Sequence, residues 1–333
     1  MGDLLLSTPA IRAVRHGLPD AHIAVMVRPY NEPVVRNNPD IDEVIVYDKD
    51  RADRGLWGNA RFALRLFLKR FDTAVLLHTT NRAVLLSVFG GVKKIVGYDR
   101  RLRFLMTETI QCEKHLGEKH EIDYSLDVVR KLGIDTAGAD RRPVMVITED
   151  DARSAALLLK KKGVRHGDRL IVVNPGASCP SRRWRPERYR EVIRRFLQAG
   201  DRVAVIGIVE EAEIAAQVLQ GLEMRALNLT GLLSIGETAA LIRSARLLVS
   251  NDTGSVHLAS AVGTPVLVIY GRKDPGLSPV VWGPIGENNI VLHKDAGCVT
   301  CLAHNCTNGF KCLDQIAVGD VIGAAHRILG EEK

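Results

Sequence analysis

At 333 residues the chain is long for one core and reads as two domains of about 150–170 residues. Its apolar share of 46% and charged share of 26% are those of a globular protein, and no apolar run approaches the ~20 residues that span a bilayer. The net charge of +7 points to an anionic partner or to a solvated cationic surface, while an aromatic share of 5% and the lack of an RNP-like or helix-turn-helix pattern leave nucleic acid without a stacking platform.

The first periodic stretch, "GDLLLSTPAIRAVR" (2–15), is helical, and a strand follows only at 22–27. Strands are predicted next at 43–47, 73–78 and 94–98, with helices at 58–70 and 81–89 between them. A helix over 120–132 stops at Gly133 and another over 149–162 stops at Gly163, both typical end residues. The alternation then restarts, with strands at 170–174, 202–207, 226–230, 247–251 and 265–271. Pro186 and Glu187 open a helix that Gly200 closes, and a last helix occupies about 315–330. Strands alternating with helices of this length make an α/β protein with doubly wound parallel sheets. The expected division is 1–150, 151–314 and a closing helical segment 315–333. An α/β unit begins on its strand, so the opening helix reads as half of a unit. The expectation is a first N-terminal strand missing from this sequence, a segment of about 10–15 residues.

Open parallel sheets bind ligands beyond the carboxyl ends of their strands. In the second domain the loops 175–185, 207–211, 251–254 and 271–283 occupy that edge. The most informative is "VSNDTGSVHLASAVGTP", where a buried strand turns through Asp252, Thr253 and Gly254 directly into a helix. Thr253 suits an N-cap, Gly254 lets a ligand approach the backbone, and the free N–H groups of a helix start attract an anion. His257, one turn on, either donates to the same anion or packs between layers. In "NPGASCPSRRWRPERY", Ser178, Ser181 and Arg182 stand before the next helix. There an arginine would bind a diphosphate in bidentate fashion, unless the loop is a solvated one anchored by Trp184. Glu210 and Glu211 either reach a ribose hydroxyl or are exposed carboxylates at a helix start.

No G-x-G-x-x-G and no G-x-x-x-x-G-K-[ST] string occurs, so dinucleotide oxidoreductase and P-loop readings lose their usual support. The D-x-D pairs Asp40/Asp42 and Asp48/Asp50 flank one short strand and read as solvated turns, so no catalytic metal is expected. Cys298, Cys301, Cys306 and Cys312 form C-x2-C-x4-C-x5-C, with His304 nearby. Two readings stand: a structural zinc or other metal knot, or free thiols packing a loop.

With these residues in hand, the chain resembles the bacterial lipopolysaccharide heptosyltransferases over nearly its whole length. The resemblance rests on "GDLLLSTPAIRAVR" (2–15), "RRWRPERY" (182–189), the "IGIVEEAE" turn and "NDTGSVHLASAVGTPVLVIYG" (251–271). It implies the GT-B architecture, two Rossmann-like domains facing a central cleft. It further implies inverting, metal-independent transfer of a heptose from ADP-heptose to a phosphorylated lipid A-core acceptor. No cofactor is then required, nucleic acid is not a partner, and the enzyme would work in the cytoplasm, peripheral to the inner membrane. By the same resemblance Asp252, Thr253, Gly254 and His257 match the donor-binding motif. Arg182 stands where the family usually has a phosphate-contacting lysine, and Asp3 matches the candidate general base. The Cys-rich loop has no part in that chemistry. Competing expectations are a sugar-nucleotide enzyme of the epimerase kind and a non-catalytic nucleotide-sugar binder.

Overall fold

The computed structural model describes residues 1–331. Its internal contacts divide into two compact units, Asp3–Arg141 with Met1, and the chain from Arg142 onward with Gly2.

The chain begins with α1 (Gly2–Gly17), followed by β1 (Ala24–Val27), α2 (Glu32–Val35), β2 (Glu43–Val46), α3 (Gly55–Lys69) and β3 (Thr73–Leu76). The first unit then adds α4 (Asn81–Phe89), β4 (Lys94–Tyr98), β5 (Glu108–Ile110) and α5 (Glu121–Arg130). α1 tolerates Pro9 in its interior because a neighbour replaces the missing donor. The hydroxyl of Thr8 donates to the Leu5 carbonyl at 2.7 Å, the acceptor that proline leaves without its N–H. The strands form two hydrogen-bonded groups, a parallel pair β1–β2 and a parallel trio β3–β4–β5, rather than one continuous sheet. β1, β2 and β3 are mostly half-buried, whereas β4 is buried from Ile95 to Tyr98. α3 presses Phe62, Ala63 and Leu66 onto Tyr47 and Leu86, and Tyr98, Tyr124 and Val128 make a second apolar cluster.

The second unit contains α6 (Glu149–Lys161), β6 (Leu170–Asn174), α7 (Pro186–Gln198), β7 (Arg202–Val205), α8 (Ala212–Leu219), β8 (Leu227–Asn228) and α9 (Ile235–Ser244). It continues through β9 (Leu247–Asn251), α10 (Gly254–Val262), β10 (Val266–Tyr270), α11 (Pro279–Trp282), β11 (Ile290–His293), α12 (Lys311–Asp314) and α13 (Val318–Leu329). Capping boxes start two of these helices. Thr148 and Asp151 exchange side-chain and backbone bonds at α6, as Ser234 and Glu237 do at α9. All six strands are parallel, in the order β11-β10-β9-β6-β7-β8. β6, β9 and β10 are buried along their whole length, as continuous Val/Ile/Leu runs in a doubly covered sheet require. Their Ile171, Val249 and Ile269 pack with Tyr189 and Ile193 of α7 and Ala324 of α13.

The chain leaves β6 toward β7 on one side and later returns to place β9 on the other. The carboxyl ends of β6 and β9 therefore flank a topological switch point, where open α/β sheets form their crevice. The predicted strand 226–230 survives only as Leu227–Asn228, and the sheet edges carry two strands the pattern did not announce, β5 and β11. The helix expected at about 315–330 is α13, and the short α12 precedes it.

Ile171 has no solvent exposure. Ile171→Ala is expected to cost the second unit about 2–5 kcal/mol, and Ile171→Val about 0.5–1.5 kcal/mol, read as shifts of its chemical-denaturation midpoint.

Candidate functional site

Asn174 and Asn251 end the two strands at the switch point, and both side chains are buried and bonded. Asn251 donates through Nδ2 to the carbonyls of Pro175 (2.7 Å) and Gly176 (3.3 Å). Its Oδ1 accepts from the Trp184 backbone N–H (3.1 Å) and the Tyr189 hydroxyl (2.9 Å). One carboxamide thus fixes the loop after β6, the entry to α7 and the end of β9 relative to one another. Asn174 donates to the Ser255 hydroxyl (2.9 Å) and accepts from the Gly176 N–H (3.1 Å).

Beyond β9 the chain enters α10. Thr253 sits at the N-cap with extended backbone, yet its side chain makes no capping bond. Its hydroxyl is paired instead with Ser255 (2.7 Å) and lies 3.2 Å from the Ser250 hydroxyl. The predicted capping role of Thr253 is thus corrected: neighbouring hydroxyls hold it sideways. The N–H groups of the first turn, Gly254 included, therefore carry no side-chain cap and keep their capacity for an anion. His257 is buried one turn further along the same helix.

Asp252, just before the cap, is buried and receives two arginines. Arg272, itself only 2% exposed, donates to the Asp252 carboxylate, and Arg182 Nε lies 3.5 Å from the same oxygen. Arg182 also reaches the Asp252 carbonyl at 3.4 Å. Asp252 therefore spends its charge inside the protein, and its part is to hold two guanidinium groups beside the start of α10. Arg272 Nε and Nη1 are buried and have no hydrogen-bond partner among the described residues. Sequence reasoning did not find Arg272, because a single arginine after a strand belongs to no spacing pattern. Its only signal is its place at the carboxyl end of β10.

The other predicted residues divide. Glu211 is drawn into the edge. Its carboxylate accepts from the Ile208 N–H at 3.0 Å and lies over Gly176 and Gly207, where a Cβ would fall 2.1 Å and 2.7 Å from its oxygens. Burial pushes its pKa up, partly offset by the Ile208 bond and by Arg183. Glu210 and Ser178 are exposed on the adjoining loops. Ser181 departs from the prediction: it is buried, 3.4 Å from Cys179 Sγ and 3.3 Å from His304 Nδ1, so its hydroxyl braces two loops. Asp3 belongs to the first unit, on the exposed side of the first turn of α1, where its backbone carbonyl accepts from the Ser7 hydroxyl at 2.8 Å and its charge acts on the N-terminal amine of Met1.

Most of the "RRWRPERYR" cluster is structural rather than free for a ligand. Arg183 donates twice to the Ala177 carbonyl, Arg185 pairs with Asp314, and Arg188 gathers the carbonyls of Asp314 and Ile316.

The zinc expectation is corrected as well. Cys298, Cys301, Cys306 and Cys312 line one cavity of about 50 Å3 as free thiols. Among the described residues, however, no group of three or more His, Cys, Asp or Glu side chains is gathered to hold a metal ion. The thiols and the imidazole are committed separately: Cys312 donates to the Gly271 carbonyl, Cys298 accepts from Asn308, and His304 turns to Ser181. Burial pushes the Cys312 thiol up, which keeps it protonated.

A parallel sheet whose switch point gathers an uncapped helix start and two arginines offers the groups that an anion needs at the strand edge of an α/β protein. The chain belongs to glycosyltransferase family 9 (heptosyltransferase), which residues 60–311 match, and it is a glycosyltransferase. It is 22% identical to lipopolysaccharide heptosyltransferase 2 of Salmonella typhimurium, with all of this chain and 97% of that protein aligned. Among solved structures it superposes on a family 9 glycosyltransferase from Veillonella parvula with a TM-score of 0.90 and 27% identity, covering 99% of this chain and 95% of that one. It also superposes on the Escherichia coli ADP-heptose lipopolysaccharide heptosyltransferase II, with a TM-score of 0.80 and 20% identity over 99% and 96% of the chains.

Two outcomes test the electrostatics. Arg272→Met leaves Asp252 buried with one distant cation and is expected to cost about 3–5 kcal/mol in equilibrium unfolding, with Asp252→Asn in the same chain recovering part of the loss. For Glu211, a folded pKa above the unfolded one means that the folded state holds the proton more tightly. Its contribution to stability therefore falls as pH rises upward from about pH 4. Glu211→Gln is expected to flatten that part of the stability–pH profile.

Proposed function

We propose that the chain transfers a heptose from ADP-heptose to a phosphorylated lipid A-core hydroxyl, with inversion at the anomeric carbon and without a catalytic metal. The carrying observation is the start of α10. Its first-turn N–H groups are uncapped, and Arg182 and Arg272 are anchored beside it through Asp252. This reading accords with the names of the similar proteins, which are heptosyltransferases acting on lipopolysaccharide.

In this mechanism the backbone at Thr253 and Gly254, with His257 and Arg182, binds the diphosphate. The second unit is then the donor domain and the first the acceptor domain. Glu211, Glu210 and Ser178 are assigned to the nucleoside side of the site, with Glu211 nearest because it already lies on the strand edge. The acceptor hydroxyl oxygen attacks the anomeric carbon from the face opposite the diphosphate. As that bond forms, the bond from the anomeric carbon to the β-phosphate oxygen breaks and ADP departs with the electron pair. Asp3 takes the hydroxyl proton. Fixed cations and the helix N-terminus stabilise the leaving group, the part a divalent ion plays in other transferases.

No helix among the described residues is long and apolar enough to cross a membrane. With a lipid-linked acceptor, the enzyme is proposed to act peripherally at the cytoplasmic face of the inner membrane.

Asp3→Asn separates base from binding. It is expected to lower kcat about 100-fold or more while ADP-heptose affinity, measured by calorimetry, changes less than threefold. Arg182→Ala is expected to weaken ADP-heptose binding itself. Unchanged turnover in Asp3→Asn, or tighter binding of a UDP-sugar than of ADP-heptose, refutes the assignment.

A further inference from the structure

α3 is amphipathic in an unusual sense: it is apolar on both sides. Its inner face, Gly58, Phe62, Ala63 and Leu66, is packed into the first unit. Its outer face should then be polar, yet Leu56 and Trp57 are each 90% exposed, Leu68 69%, and Leu64 and Phe67 56%. At about 100° per residue, Trp57, Leu64 and Leu68 fall within about 20° of one line, with Leu56 and Phe67 along one margin. Phe67 lies against Gly91, where a Cβ would meet its ring at 2.8 Å, which brings the end of α4 and its 67%-exposed Phe89 alongside. Single exposed apolar residues need no account, but a contiguous apolar face does.

The charges that the helix itself carries have one sign. Residues 54–70 contain Arg54, Arg61, Arg65, Lys69 and Arg70 and no acid, and α4 adds only Arg82. Arg61 and Arg65 share the buried Asp53 at 3.8 and 3.2 Å, and Lys69 meets Glu43 at 2.5 Å. Arg54 and Arg70, at the two ends of the helix, are exposed and form no ion pair among the described residues. An apolar strip centred on an exposed tryptophan and bordered by cations is the pattern of a helix that lies in a lipid interface. Its rings and leucines enter the acyl boundary while arginines meet anionic headgroups. The 15 residues give about 22 Å of helix, long enough to lie flat as one contact. A second copy of the chain is a poorer occupant, since a two-fold interface on this face would bring the unpaired Arg54 and Arg70 of one copy against those of the other.

We propose that the outer face of α3, with the end of α4, docks the protein on an anionic lipid bilayer. The proposal rests on the reading of a lipid-linked acceptor for its purpose, but its test does not.

The full chain is mixed with vesicles of pure phosphatidylcholine and of phosphatidylcholine containing phosphatidylglycerol, with sedimentation and tryptophan emission as readouts. Trp184 is buried and Trp282 is half-buried with its indole N–H bonded to the Gly276 carbonyl, so a blue shift on anionic vesicles that Trp57→Phe removes reports contact through α3. Leu64→Glu with Leu68→Glu is expected to lower partitioning at least about tenfold, and Arg54→Glu with Arg70→Glu to lower it on anionic vesicles only. Both pairs are exposed, and unchanged circular dichroism and ADP-heptose affinity show that the fold is kept. Partitioning that is absent in the parent chain, or undiminished in Leu64→Glu/Leu68→Glu, overturns the proposal. So does a concentration-dependent dimer in sedimentation velocity that the same leucine substitutions abolish. If vesicles are bound as expected but ADP-heptose is not, docking stands and the donor assignment falls.

Discussion

The sheet edge proposed to bind the diphosphate depends on one buried carboxamide. Three separate stretches of chain, the loop after β6, the entry to α7 and the end of β9, converge where the sheet order reverses. Each brings backbone groups that burial would leave unpaired. Asn251 meets two carbonyls with its amide and one N–H and one hydroxyl with its oxygen. A buried polar group of this kind is costly when half satisfied and strongly directive when complete. Because it is complete, the residues that follow it, Asp252 to Gly254, leave the sheet in one direction, and α10 starts at a fixed place. The arginines are then added from outside by Asp252, whose charge is neutralised within the protein rather than by a ligand.

Much of the second unit was legible in the sequence, and the reasons are local. The runs 170–174 and 247–251 coincide with β6 and β9, since apolar β-branched segments buried on both faces admit few alternatives. Helices with strong start signals were equally plain, as Pro186 at the head of α7 shows. β5 and β11 escaped notice because they are short edge strands outside the regular strand–helix rhythm. Within the site, Thr253, Gly254 and Arg182 could be named from their positions at a strand-to-helix turn. Ser181, from the same loop, faces away toward His304, a direction set by tertiary contacts that no spacing encodes. Arg272 and the commitments of Cys298 and Cys312 are of that same non-local kind.

The basic composition, met first as one number, separates into distinct populations. Arg183, Arg185 and Arg188 serve the packing of the second unit and are saturated by carbonyls and Asp314. Arg182 and Arg272 concentrate charge at the sheet edge. The cations of α3 border an apolar face and belong to the first unit. Net charge alone pointed to an anionic partner. The positions of these groups suit the two partners proposed, a diphosphate at the strand edge and a headgroup layer at α3.

The saturation of Asn251 also bears on how the protein ages. Hydrolytic loss of an amide replaces one nitrogen by oxygen, a change of about one mass unit that leaves shape untouched. Here it would turn the group that donates to the Pro175 and Gly176 carbonyls into a third oxygen facing two others, inside the protein and against the start of α10.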